Sequence, residues 1–234
     1  MYIDWTYIML VLPAVIFSMW ASSRVDSTFK QYSRQYIRCG MTGGEAARMI
    51  LNANGLHHVR IERVSGNLTD HYDPRTNVVR LSDSVYSSAT SAAIGVAAHE
   101  CGHAVQHAVG YTPIRIRTAI VPITNLGSKL SVPLVVLGIV FSYTSSAFIN
   151  LAYLGVACFS LCAIFQLVTL PTEYNASRRA VRALEDCGRL SEEEIYGSKK
   201  VLSAAALTYV AALAVSVMQL LRLLLRVRRN DRRN

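Results

Sequence analysis

Long uncharged stretches alternate with polar ones along this chain. Nineteen residues between Asp4 and Arg24 carry no formal charge, and a bilayer core of about 30 Å needs roughly 20 apolar residues in a helix. Trp5, Tyr7 and Trp20 lie near the ends of this stretch, where amphipathic rings favour the water–lipid boundary. The competing reading, a cleaved signal peptide, lacks a basic segment ahead of the stretch, and Ala21-Ser22-Ser23 is a weak cleavage site. A retained anchor is therefore the expectation.

From Leu130 to Thr172 there are forty-three residues without a charge, interrupted by the polar run Ser142-Tyr143-Thr144-Ser145-Ser146. That is twice the requirement for one span and predicts a helical hairpin. Its helices are expected over Ser131–Phe141, with further turns upstream from Ala119, and over Asn150–Leu170. Pro122 and Pro133 mark kinks or a boundary at the entry. A last apolar run, Val201 to Leu221, lies between Lys200 and Arg222. The predicted division is an anchor over 1–23, a polar region over 24–118, the hairpin over 119–171, a short polar segment over 172–200, and a membrane helix with a basic tail over 201–234. The fold class is a mainly α membrane protein, with three to four transmembrane helices and a small α+β region facing the cytoplasm.

Composition agrees with that class. The chain is 52% hydrophobic and 17% charged, with mean hydropathy +0.28, which excludes intrinsic disorder. Twenty-four Lys and Arg against fifteen Asp and Glu give a formal charge of +9, suited to nucleic acid or to an anionic membrane face. The spans favour the membrane, and no nucleic-acid partner is expected. The cysteine count of five is odd, and it is too sparse for a disulfide-built secreted scaffold.

Basic segments stay on the cytoplasmic side of a membrane. Arg24–Arg117 carries eleven Lys and Arg and Glu173–Lys200 carries six, while the hairpin turn has none. Both polar segments are thus expected in the cytoplasm, with the N-terminus and hairpin turn outside. A fourth full span would then place Arg222, Arg226, Arg228, Arg229, Arg232 and Arg233 outside as well. Either the last helix lies along or re-enters the membrane, or the first stretch is not a span, or the tail breaks the rule.

Within the first polar region, Thr42-Gly43-Gly44-Glu45 has the spacing of a capping box, predicting a helix to Asn54 closed by Gly55. Val59–Val64 alternates with period two, and Asn77–Leu81 is short and β-branched, with turn residues Asp73–Asn77 ahead of it. A two- or three-stranded sheet follows. Ser82 or Ser84 can cap a short helix, and Ala89 to Val109, rich in Ala and free of Pro, predicts a helix of about twenty residues.

That helix carries His99-Glu100-Cys101-Gly102-His103. Residues i and i+4 project from one helix face, so the two imidazoles can hold one zinc ion. Glu100, on the same turn, is placed to take a proton from a zinc-bound water and make it a nucleophile. A catalytic zinc usually has three protein ligands and one open position. His107 is eight residues from His99, about 12 Å along a helix, too far to share an ion with bonds of roughly 2 Å. The variant in which a helix-breaking glycine brings in a third histidine is also excluded, because Gln106 and Val109 occupy those two positions. Glu173 is the first charged residue after the hairpin. By pattern alone it is either the third ligand or an interfacial carboxylate paired with Arg178 or Arg179.

The runs Ala97–Gln106 and Glu173–Ala180, together with Met41–Glu45 and Thr69–Arg75, resemble the YugP-type family of membrane zinc metallopeptidases, and the likeness extends from the first anchor to Tyr209–Ala212. The resemblance implies a zinc endopeptidase of a bacterial cytoplasmic membrane. Its layout is similar to that of the HtpX-like and CAAX-processing peptidases, which implies Glu173 as third ligand beside His99 and His103. The HtpX-like pattern places an Asp four residues after that Glu; Ser177 stands there in this chain. Serine can hydrogen-bond a ligand histidine but lends it no charge.

The resulting expectation is a zinc-dependent membrane metalloendopeptidase of gluzincin-like type. One Zn2+ per chain is held by His99, His103 and Glu173, and Glu100 is the catalytic base. Its substrate is a protein or peptide at the bilayer, and it resides as a multi-pass protein in the cell membrane with a cytoplasmic active site. Tyr174, His107 and Arg178 are nominees for stabilising the oxyanion. Asn77–Leu81 is a candidate edge strand for binding substrate backbone. Cys158 and Cys162, one turn apart, read as packing residues. The alternatives are a site-2-type intramembrane protease, whose Asn-Pro-Asp-Gly-like loop is missing from the sequence, and a non-catalytic zinc-binding membrane scaffold.

Overall fold

The computed structural model describes residues 4–232. A π-helical turn over Tyr7–Val11 leads into helix α1, Leu12–Tyr32. There follow α2 (Gly43–Ala53), strands β1 (Arg60–Val64), β2 (His71–Asp73) and β3 (Val78–Ser82), and the short α3 (Asp83–Tyr86). Next come α4 (Ser91–Ala108), α5 (Thr112–Ser142), α6 (Ile149–Asp186) and α7 (Glu192–Asp231). The molecule is thus a mainly α membrane protein with one small three-stranded sheet. Among the described residues, four helical stretches are long and apolar enough to cross a bilayer: Tyr7–Tyr32, Thr112–Ser142, Ser146–Asp186 and Glu192–Asp231.

The chain forms two compact units. One comprises Met1–Trp20, Ile116–Leu170 and Thr208–Asn234, the other Ala21–Arg115 and Pro171–Leu207. In the first unit, large apolar side chains such as Ile16, Leu126, Val136 and Leu167 remain exposed, a surface whose natural solvent is lipid. Pro122 and Pro133 lie inside α5, which begins at Thr112 and does not break at either. Apolar spans tolerate such residues where local adjustments bond the freed carbonyls.

Ion pairs and hydrogen bonds gather both ends of the chain at one end of this unit. Arg222 donates to Asp4 at 2.6 Å and lies over the Tyr7 ring, with Arg226 3.7 Å from the same carboxylate. Asn230 donates to the Ser142 hydroxyl and Tyr153 to Asp231. The start of the first helix, the hairpin turn and the end of α7 therefore lie together, as four crossings require. The basic end of α7 thus lies beside the N-terminal end of the first helix and the hairpin turn.

The second unit has a core of α2, α3, α4 and the sheet, closed by residues of α6 and α7. The capping box is present: Thr42 accepts from the Glu45 N–H and the Glu45 side chain accepts from the Thr42 N–H. The helix expected over Ala89–Val109 runs from Ser91 to Ala108, capped by Thr90, which accepts from the Ala93 N–H. Ser82 precedes α3 without capping it, since its hydroxyl donates to Asp70 instead. Strand order is β1-β3-β2, with β3 parallel to β1 and antiparallel to β2. The strand expected at the edge, Asn77–Leu81, is therefore the central one and has no free edge to offer a substrate. The third strand, β2, lies just ahead of the expected turn at Asp73–Asn77 and pairs His71, Tyr72 and Asp73 with Arg80, Val79 and Val78.

The hairpin helices touch most closely at Gly138, where a Cβ would come 2.3 Å from the Ala152 backbone nitrogen. Close backbone approach at small residues drives helix association in membranes. Gly138→Val should destabilise the protein by about 1–3 kcal/mol through overpacking, read as a lower thermal midpoint of the purified protein in detergent.

Candidate active site

Helix α4 presents His99 and His103 one turn apart, their rings edge to face with centroids 4.7 Å apart. α6 supplies Glu173, just past its charge-free portion and 2% exposed. The two helices can meet here because position 102 lacks a side chain: a Cβ on Gly102 would lie 2.6 Å from the Ala176 carbonyl oxygen. Nε2 of His99 lies 3.2 Å and Nε2 of His103 3.4 Å from Glu173 Oε2.

The donors of His99, His103 and Glu173 lie within 4.8 Å of one another, forming the one such group found among the described residues. Two donors each about 2.0–2.1 Å from a tetrahedral ion stand about 3.3 Å apart, which matches both nitrogen–oxygen separations. Cys101 adds no fourth donor: its buried thiol points to the Ala47 carbonyl, and burial holds its pKa far above the ordinary value. Two imidazoles and a carboxylate suit zinc and leave a position open.

A chain of hydrogen bonds fixes the orientation of the His103 ring. Arg179 Nε, which can only donate, reaches Asn175 Oδ1 at 2.8 Å. The atom at that position is therefore the amide oxygen, and it accepts from Gln106 Nε2 at 3.0 Å; the same nitrogen donates to the Thr172 carbonyl at 2.8 Å. With the Gln106 amide so oriented, its Oε1 faces His103 Nδ1 at 3.0 Å and must accept from it. His103 thus carries its proton on Nδ1 when neutral and turns an Nε2 lone pair toward Glu173. On the other ring, Ser177 Oγ lies 3.1 Å from His99 Nδ1. Ser177, at the position where the HtpX-like pattern has Asp, thus meets His99 with a hydroxyl in place of a charge.

Electrostatics agree with the geometry. Burial alone would raise the Glu173 carboxyl, but the hydrogen bonds and charge of His103 and His99 outweigh it and hold it far below the usual carboxylate range. Burial would lower His103, yet the Glu173 and Glu100 carboxylates and Gln106 raise it.

Glu100 lies on the flank of the histidine stripe that faces β2, and its Oε2 accepts the Tyr72 backbone N–H at 3.0 Å. The Tyr72 ring packs on His107, centroids 5.6 Å apart. β2 is held in turn by Asp70, which accepts from the N–H and hydroxyl of Ser82, and by the Asp73 turn, which accepts from the Arg75 N–H and Thr76 hydroxyl. Burial, followed by the nearby Glu100 charge, raises the Asp70 carboxyl above its ordinary value despite those bonds. Of the oxyanion nominees, His107 shares the Glu100 flank, Tyr174 is largely exposed, and Arg178 lines a cavity on the other flank. Sequence reasoning missed Gln106, Asn175, Arg179 and the β2 backbone. Only Gln106 left a signal, its i+3 spacing from His103.

The chain belongs to the family described as "Putative neutral zinc metallopeptidase", whose profile matches residues 7–228. It is 46% identical over 216 residues to the "Putative membrane protease YugP" of Bacillus subtilis (strain 168), covering 92% of this chain and 94% of that relative. No solved structure matches it.

Gln106 is fully buried, so Gln106→Leu should strand the His103 Nδ1–H without an acceptor. The expected loss is about 1–3 kcal/mol of stability, measured as a fall in thermal midpoint of the metal-free protein.

Proposed function

We propose that this protein is a zinc-dependent membrane endopeptidase with His99, His103 and Glu173 as metal ligands and Glu100 as general base. The observation that carries this reading is the convergence of the three donors at separations matching a tetrahedral ion, with a carboxylate beside them in the i+1 position of the motif. Zinc bound there supplies Lewis-acid polarisation of the scissile carbonyl. Glu100 takes the proton of the attacking water and returns it to the leaving amine. The Tyr72 N–H aims the Glu100 carboxylate, and Gln106 and Ser177 orient the imidazoles; His107, packed on the Tyr72 ring on the same flank as Glu100, is our nominee for the oxyanion donor. The substrate is a polypeptide at or near the bilayer. The distribution of Lys and Arg supports a cytoplasmic site in the cell membrane. A structural site normally closes all four positions and has no use for a base, which weighs against the scaffold reading.

Elemental analysis of purified full chain should find one zinc per molecule. Glu100→Gln should keep the zinc while casein cleavage falls about 10²–10⁴-fold; Glu173→Ala should lose or greatly weaken the zinc. Zinc retained in full by Glu173→Ala would remove the third ligand, and cleavage surviving in Glu100→Gln would remove the base.

Ser177→Ala should lower zinc affinity by about 10–100-fold while leaving the chain folded, as a competition titration against a chelator would show. Ligand imidazoles must be deprotonated, and His103 binds its proton more tightly than an ordinary imidazole in the metal-free protein. Apparent zinc affinity should therefore fall on acidification, starting above the usual histidine range near about 6.5. The same titration repeated across pH reads this directly.

A further inference from the structure

Beside the metal-binding group, α2, α4 and the last turns of α6 enclose a cavity of about 730 Å3. With 3.6 residues per turn, its α4 wall of Ala98, Gly102 and Val105 lies on the opposite side of the histidine stripe from Glu100, and none of His99, Glu100, His103 or Glu173 lines it. Four arginines do, Arg178, Arg179, Arg182 and Arg189, against one acid, Asp186. Arg178 and Arg182 stand four residues apart on α6 and Arg179 and Arg182 three apart, spacings at which like charges repel. Among the described residues, none of the four has a carboxylate within ion-pair distance. Positive charge concentrated in a concavity without internal compensation favours an external anion. Guanidinium forks match phosphate oxygens two at a time, and the accessible apolar surface of Met49, Ala53 and Ala183 weakens competition from water. The volume falls within the range of sites for whole organic ligands and far exceeds a bare phosphate.

We propose that this cavity binds a phosphate ester, its phosphate held by Arg178, Arg179 and Arg182 and its organic part lying over the apolar wall. The ester is either a soluble metabolite-sized molecule or the headgroup of an anionic lipid. Arg179 uses Nε for Asn175 and keeps its terminal nitrogens for the ligand, so an occupied cavity steadies the hydrogen-bond chain that ends on His103. The binding itself does not depend on the peptidase reading.

The test uses full-length protein in uncharged detergent, titrated calorimetrically with inorganic phosphate and with glycerol 3-phosphate at constant ionic strength. Saturable binding of one equivalent is expected, weakened about tenfold or more in Arg178→Gln/Arg182→Gln and changed less than twofold in Arg60→Gln/Arg75→Gln. Ala183→Glu, which puts a carboxylate into the cavity wall, should abolish binding and serves if the double variant does not fold. Nanodiscs of phosphatidylglycerol that block glycerol 3-phosphate binding, where phosphatidylcholine discs do not, identify a lipid headgroup. Binding unaffected by either lipid identifies a soluble ester, and both results support the site. Titrations that do not saturate, equal weakening in the control variant, or binding of an acidic peptide with no response to phosphate or phosphatidylglycerol would each overturn it.

Discussion

The approach of α4 to α6 at Gly102 is the constraint on which the site rests. A Cβ there would meet the Ala176 carbonyl at 2.6 Å, so any side chain at this position pushes the helices apart. The nitrogen–oxygen separations of 3.2 and 3.4 Å between the histidines and Glu173 cannot survive such a shift. The glycine inside the motif is thus part of the geometry that lets a carboxylate seventy residues further along reach the two imidazoles. The same contact sets Gln106 against Thr172 and Asn175, so the ring orientation of His103 and the position of Glu173 follow from one helix–helix interface.

Much of this was legible in the sequence, for identifiable reasons. Thr42 and Glu45 announce a helix start because the capping box depends only on local spacing, and His99 and His103 announce a shared face because helical geometry needs no tertiary information. The apolar runs announced three to four membrane-length helices by length alone, and four are present among the described residues. What escaped depends on contacts between distant segments. The place of β3 at the centre of its sheet is set by pairing partners on both sides, and β2 is three residues long, too short for an alternation to register. Pro122 and Pro133 read as kinks or a boundary and left the helix start open, whereas α5 begins at Thr112 and runs through both. Gln106, Asn175 and Arg179 acquire their roles only from one another.

Charge works at two scales in the molecule. Locally, Asp4 draws Arg222 and Arg226 to the first helix, and the hairpin turn receives Asn230 and Asp231 through Ser142 and Tyr153. These bonds tie the end of the chain to its beginning within the apolar unit. Over the whole chain, the larger share of Lys and Arg lies in the polar segments, and six arginines in the tail stand apart from it. Two of them, Arg222 and Arg226, are accounted for by the Asp4 carboxylate they meet at that end.

The order of the donors along the chain has its own consequence. His99 and His103 are translated long before Glu173, and what separates them is the apolar hairpin itself. A chain still being synthesised, truncated within the hairpin or stalled before it is threaded into lipid holds two donors of the three. On the proposed reading of the site, the metal-binding group is completed only once the hairpin that separates its parts has been made and folded.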